Sequence, residues 1–333
     1  MSATFWITTN CNLRCKYCYE GTDKLNLAMT KEVIDKGIEF IAENLKFEKN
    51  EKITIPIHGG EPFLEFDSIK YLVNECKKEF KENDVSFVTT TNMTILNDEI
   101  LKFIIDEIPD ITISIDGKRE THDKMRIFSN GSGSHEIAIN NGLKLLKYLP
   151  NIRVRMTFDS STVRNLFEDS KFLIEKGFRF IVPAPNLFDT NWDRQSMNVL
   201  EEQMIKIKEY LKFKEDVFVS IVDKDVYKVK GACSGGKTSF QIYPDGKLYP
   251  CTLVSGIKEF EIGDIYTGIN VKRRDEILSY SNEISPSCDG CNLYDCCDGP
   301  RCKLINKLIV NDYNLPPATH CAIENVKYQL NFK

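Results

Sequence analysis

Twelve cysteines in 333 residues constrain this chain more than any other feature, because of where they stand. Cys11, Cys15 and Cys18 fall within eight residues, in TTNCNLRCKYCYEG; Cys76 stands alone; the other eight lie between Cys233 and Cys321. The stretch from 77 to 232 has none. The N-terminus, MSATFWITTN, lacks the charged start and apolar core of a secretory signal. A cytoplasmic location is therefore expected, where thiols serve as metal ligands more often than as disulfides. Three thiolates at the spacing C-x-x-x-C-x-x-C can hold a 4Fe-4S cluster by three of its irons, leaving the fourth open to an exogenous ligand. A zinc site would add a second C-x-x-C pair or a histidine, and the closest histidine in sequence is His58.

The remaining composition excludes more than it selects. Apolar residues make up 42% and charged residues 28%, ordinary for a globular protein. A formal charge of −5 gives no nucleic-acid footprint. No apolar run approaches the roughly 20 residues that span a bilayer. The length suits one large domain with a smaller one, or a barrel with an extension.

Through the first two-thirds, short β-rich runs alternate with helical patterns. Strands are predicted at Thr4–Thr8, Ile53–Ile57, Ser86–Thr90, Ile111–Ile115, Arg153–Thr157 and Arg179–Val182. Ile53, Ile55 and Ile57 carry the period of two, and Ile34, Ile38, Ile41 and Leu45 mark one helical face behind a Thr30 cap. Further helices are predicted at about 66–81, 96–106, 135–148, 163–176 and 196–212. Six strand–helix units imply parallel strands with crossover helices, curved or flat. Reactive groups should gather where the strands end. The cysteine loop follows the first strand, and His58-Gly59-Gly60-Glu61-Pro62 follows the second. Thr91-Asn92 ends the third, Ser114 with Asp116-Gly117 closes the fourth, and Arg155 lies on the fifth. Asp116-Gly117 also reads as a plain turn, and Arg155 as a solvated strand residue.

These motifs resemble the radical S-adenosylmethionine (SAM) enzymes. The resemblance rests on the cysteine trio with Tyr17 before its last member, and on GGEP one unit later. It implies an α/β fold with a partial (β/α)6 TIM-like barrel. Cys11, Cys15 and Cys18 would hold the catalytic cluster, with Tyr17, Gly59, Gly60, Glu61, Asn92, Ser114 and Arg155 around the SAM. The glycines would let backbone approach the ligand, and Glu61 would face its ammonium. The family usually has Gly after the asparagine, whereas Met93 follows Asn92 here, so a loop of different shape is expected.

The last third resembles the SPASM extension of peptide-modifying radical SAM enzymes. Twelve residues separate Cys233 from Gly246, and four separate Gly246 from Cys251. Cys288-x-x-Cys291 follows, then five residues to Cys297, four to Cys302, and finally Cys321. The interval from Cys297 to Cys302 is one residue longer than the family's. Paired structural zinc sites are the alternative. The resemblance implies two auxiliary 4Fe-4S clusters. One would use Cys288, Cys291, Cys297 and Cys321; the other Cys233, Cys251 and Cys302, with an open iron or Cys296 standing in. Such a segment has too little apolar sequence to fold alone, so metals are expected to organise it. Cys76 reads as an inert helical thiol. The implied domains are 1–212 for the barrel, 213–232 for a linker and 233–333 for the cluster domain.

The resemblance implies cleavage of SAM to a 5′-deoxyadenosyl radical, hydrogen abstraction from a peptide, and crosslinking, with a cysteine thioether as the expected bond. Sulfatase-maturing enzymes, the alternative, place an Asp base after the second SPASM cysteine; here Thr252 stands there. A multi-cluster electron carrier is the non-enzyme alternative. The expected partners are a cysteine-containing precursor peptide and an electron donor such as flavodoxin or ferredoxin. Because the first strand begins within a few residues of the N-terminus, leader recognition is expected from the barrel, the SPASM face or a separate leader-binding protein, with small-molecule substrates as the alternative.

Overall fold

The computed structural model describes residues 2–21, 25–45, 51–223, 229–231, 233, 235–279, 283 and 285–332. In chain order the strands are β1 (Ser2–Thr8), β2 (Lys52–Gly59), β3 (Asp84–Thr91), β4 (Asp110–Ser114), β5 (Arg153–Phe158), β6 (Phe180–Pro185), β7 (Phe218–Val219), β8 (Ser239–Ile242), β9 (Lys247–Tyr249), β10 (Gly263–Asp264) and β11 (Gly268–Ile269). The helices are α1 (Lys31–Leu45), α2 (Phe66–Glu79), α3 (Asp98–Glu107), α4 (Arg119–Met125), α5 (His135–Leu146), α6 (Leu166–Glu175), α7 (Arg194–Leu211), α8 (Val271–Leu278), α9 (Lys303–Val310) and α10 (Ala318–Phe332). The fold is mixed α/β, with parallel strands joined by helices. All six predicted strands and the helices between them form, with ends displaced by a few residues.

The chain divides into two compact units. The first comprises Met1–Asn12, Glu20–Thr112 and Ser234–Ser279. Here β1 pairs in parallel with β2, and β2 with β3. Ile53, Ile55 and Ile57 are buried, while Thr54 turns the other way to meet Ser86, Oγ1 to Oγ, at 3.1 Å. That alternation is the period of two read from the sequence. Thr30 Oγ1 accepts from the Val33 N–H at 3.2 Å at the start of α1, and Asn97 Oδ1 from the Ile100 N–H at 2.8 Å at the start of α3, so both helices have side-chain caps. On its other side β1 pairs in parallel with β8, from Ser2 opposite Ser239 to Phe5 opposite Ile242. An antiparallel ribbon of β9, β10 and β11 continues from β8.

The second unit comprises Leu13–Tyr19, Ile113–Cys233 and Tyr280–Lys333. Within it β5 pairs in parallel with β6, and β6 with β7. Val154, Met156 and Phe158 are buried on one face of β5. Asp193 and Ser196 form a reciprocal capping box at the start of α7. The boundaries expected at 212 and 232 both fall inside this unit, and residues 224–228 and 232 of the expected linker lie outside the described ones. Pattern reading missed α4, a seven-residue polar segment, and β7 to β11, which are too short to show a period. Among the described residues no helix is long and apolar enough to cross a membrane.

Candidate functional site

In the first unit, β1 leads into Cys11 and β2 into the GGEP run. Gly60 N–H donates to Thr8 O at 2.9 Å, and Glu61 N–H to Asn10 O at 2.8 Å. A Cβ on Gly60 would lie 2.3 Å from Asn10 O, and one on Gly59 2.6 Å from Thr8 O. The close approach these glycines allow is therefore to the strand end that carries the first cysteine. The Gly59 Cβ would meet Thr8 at the end of β1, and the Gly60 Cβ would meet Thr9 and Asn10 just beyond it.

Glu61 is wholly buried. Its carboxylate accepts from Asn92 N–H at 2.7 Å, Thr91 Oγ1 at 2.8 Å and Phe63 N–H at 3.2 Å. Burial outweighs these three donors and pushes its pKa up to about 7. Asn92 also reaches out by its side chain, with Nδ2 donating to Cys11 Sγ at 3.9 Å and to Asn12 Oδ1 at 2.9 Å. One asparagine thus joins the end of β3, the GGEP carboxylate and the first cysteine. The next residue, Met93, has φ of 59° and is buried. The methionine adopts the left-handed backbone that glycine favours, and the turn expected to differ is made by burying a side chain instead.

In the second unit, the cysteine loop pairs with the segment after α4. Arg14 N–H donates to Ile127 O at 2.7 Å and Lys16 N–H to Met125 O at 3.0 Å, and Leu13 bridges Phe128. The Tyr17 hydroxyl donates to Asp116 Oδ2, which also accepts from Arg126 Nε at 3.0 Å; Thr157 N–H donates to Asp116 Oδ1 at 2.9 Å. The Arg126 guanidinium lies 5.2 Å from the centre of the Tyr17 ring. Burial raises the Tyr17 pKa well above its usual range, the Arg126 charge opposing, so the phenol keeps its proton. Ser114 is buried at the end of β4. Arg155 is exposed on β5, and its carbonyl accepts from Ile115 N–H at 3.1 Å, holding β4 and β5 in register.

Six of the eight late cysteines fall in the second unit's C-terminal segment. Cys288 and Cys297 are buried, Cys321 is half-buried and Cys291 exposed. Burial raises the Cys321 pKa, and the nearby Cys288 and Cys291 raise it further. Burial pushes Cys297 up to about 12 although Gly299 N–H donates to its sulfur at 3.3 Å. Cys321 acts on Cys297 as well, so of the four thiols expected as one ligand set Cys321 interacts with the other three. Arg301 clamps the segment, its guanidinium donating to Lys230 O at 2.8 Å and Cys297 O at 2.9 Å. Cys296 Sγ lies 3.5 Å from Leu293 O, and Glu324, Lys230 and Arg301 act on it. Cys233 and Cys302 belong to the second unit, and Cys251 to the first. Thr252, beside Cys251, donates from Oγ1 to Gln241 Oε1 at 3.0 Å. Among the described residues no three His, Cys, Asp or Glu side chains close on a point as ligands of one ion would. Sequence reasoning passed over Arg126 and gave Asp116 only as a turn, because their roles come from pairing with a loop a hundred residues away.

Residues 7–163 match the Radical SAM superfamily, and this part of the chain is a radical SAM domain. The chain is 28% identical over 322 residues to the cysteine-type anaerobic sulfatase-maturating enzyme of Clostridium novyi, covering 87% of this chain and 84% of that one. It is 26% identical over 284 residues to the antilisterial bacteriocin subtilosin biosynthesis protein AlbA of Bacillus subtilis, covering 80% of this chain and 57% of AlbA. Among solved structures, native anSMEcpe with bound AdoMet and the Cp18Cys peptide superposes with a TM-score of 0.81 at 19% identity, over 99% of this chain and 96% of that one. That likeness establishes the shared fold.

Proposed function

We propose that this radical SAM protein is a peptide maturase that crosslinks a cysteine of a precursor peptide to carbon as a thioether. Cys11, Cys15 and Cys18 would hold the catalytic 4Fe-4S cluster. Asn92 suits that role, since it donates toward Cys11 and thereby orients the first ligand. Gly59, Gly60, Glu61, Asn92, Ser114, Arg155 and Tyr17 would surround SAM. Cys288, Cys291, Cys297 and Cys321 would hold one auxiliary cluster; Cys233, Cys251 and Cys302, with an open iron or Cys296, would hold the other. The buried Cys288 and Cys297 and the Gly299 N–H on the Cys297 sulfur fit a cluster ligand set. When bound, SAM and the clusters supply the hydrogen-abstracting carbon radical and a sink for the remaining electron.

The observation that carries the choice of bond is Thr252. At the position where the sulfatase-maturing resemblance expects a carboxylate base, a hydroxyl is spent on Gln241. A threonine hydroxyl is no base near neutral pH. An auxiliary iron left open would suit capture of a peptide thiolate. A flavodoxin or ferredoxin would deliver electrons, and the barrel, the SPASM face or a separate leader-binding protein would recognise the peptide.

The test is co-expression with a cysteine-containing peptide encoded beside it, followed by mass spectrometry. Each crosslink should remove two hydrogens from the peptide mass. A formylglycine product would assign the sulfatase-type reaction instead. Anaerobic protein given SAM and dithionite should release 5′-deoxyadenosine, which an electron carrier would not.

A further inference from the structure

Arg126 is a buried arginine that no motif singled out, and its register places it. The bonds from Arg14 N to Ile127 O and from Lys16 N to Met125 O flank Cys15 in the cysteine loop and Arg126 at the end of α4. With Leu13 bridged antiparallel to Phe128, the two bonds bracket Cys15 and Arg126 between them, and the two side chains act on one another electrostatically. The side chain is 8% exposed, and its partner Asp116 is 0% exposed.

The surroundings fix the guanidinium in place. Nε donates to Asp116, and the ring of Tyr17, two residues beyond Cys15, lies against the guanidinium face. The backbone is held too. Asp116 N–H donates to His122 Nδ1 at 3.2 Å, so His122 Nε2 carries the proton and donates to Ser134 Oγ at 2.9 Å. Ser134 Oγ in turn donates to Arg126 O at 2.7 Å. Burial, then Arg126, lowers the His122 pKa to about 3, so this relay stays neutral. The Asp116 charge is shared among Tyr17, Arg126 and Thr157. Burial works against the charge of Arg126, but Asp116, Tyr17 and Cys15 hold it protonated.

We propose that Arg126 is a positioning residue for the N-terminal cluster, fixing the Cys15 loop and, by its buried positive charge near Cys15, raising the potential at which that cluster accepts an electron. This rests on the proposed role of the cysteine trio. Reduction adds one negative charge to the metal centre, and a fixed cation beside a ligand stabilises that state. Because the guanidinium is shut away from water, dissolved salt screens it little. An exposed lysine near the loop would do far less.

The experiment is an EPR-monitored redox titration of the reconstituted full chain, following the signal that changes when SAM is added. Wild type, Arg126→Met and Arg126→Lys are compared. Arg126→Met should move the midpoint to more negative potential, whereas Arg126→Lys, which keeps the charge, should stay nearer wild type. A tenfold fall in the reduced-to-oxidised ratio at fixed potential corresponds to about 59 mV for one electron. An unchanged midpoint in Arg126→Met overturns the proposal, as does an equal shift in both variants, which would make packing the cause. Should Arg126→Met fail to take up iron, Arg126→Lys decides alone: a midpoint at the wild-type value supports the charge, and a negative shift overturns it. A wild-type protein with no SAM-sensitive signal would instead refute the proposed function.

Discussion

Asn92 donates from its side chain to the Cys11 sulfur, 3.9 Å away, and from its backbone to the buried carboxylate of Glu61 at 2.7 Å. The two contacts are separable, because substitution removes only the first. Asn92→Ala should therefore leave the Glu61 bond in place and cost about 1–2 kcal/mol of stability through the lost contacts to Cys11 and Asn12. With a donor to the sulfur gone, the cluster on the cysteine trio should reduce at more negative potential. EPR titration alongside urea unfolding checks both effects; large unfolding without a shift in potential would contradict the separation.

Glu61 should make stability fall as pH rises. Its folded pKa of about 7 lies above the ordinary carboxylate value of 4.5. Its contribution is fully present below pH 4.5 and is lost as pH rises through 7. The gap corresponds to about 3 kcal/mol. Urea unfolding of the metal-free protein at pH 5 and pH 8, wild type against Glu61→Gln, measures this. The wild type should lose ground against the variant at the higher pH, and a constant difference would show that Glu61 does not titrate in this range.

Gly60→Ala should be more damaging than its size suggests. The new methyl would meet Asn10 O at 2.3 Å, a backbone atom that cannot move without shifting the strand end that leads to Cys11. Loss of iron from the N-terminal site, read by iron analysis and the SAM-sensitive EPR signal, is the expected result. Full iron loading in this variant would mean that β1 and β2 can part without disturbing the cysteines.

At Met93 two effects oppose. Glycine would relieve a left-handed backbone worth about 1–2 kcal/mol, but it would empty a fully buried side-chain site worth about 2–5 kcal/mol. The second effect is larger. Met93→Gly should lower stability by about 1–3 kcal/mol in urea unfolding, and a stabilised variant would show that the backbone strain dominates.

Alanine at Cys288, Cys291, Cys297 or Cys321 should each remove the same cluster's share of iron, because the proposed ligand set needs all four and Cys321 lies close enough to the other three to interact with each. Cys76→Ala should leave iron unchanged: burial pushes that thiol well above its usual pKa, and it lies on the packed face of α2. Unequal iron loss across the four would break the proposed ligand set.

The strands and helices of the βα repeat were readable because each buries a face whose period shows in a single segment. Ile53, Ile55 and Ile57 carry the period of two, and Ile34, Ile38 and Ile41 the helical one. The cysteine spacing and GGEP were readable because metal and cofactor chemistry constrains neighbouring residues. Contacts across the chain leave no such local trace. That β8 lies beside β1, that Gly60 spares room for Asn10, and that Arg126 and Cys15 act on one another depend on segments brought together from 50 to more than 230 positions apart. Sequence alone determined the class of fold and the candidate ligand residues, since local periodicity and side-chain chemistry are properties of short segments. Only tertiary structure decided which buried charge and which amide stand against each cysteine, because pairing register is set by packing at a distance.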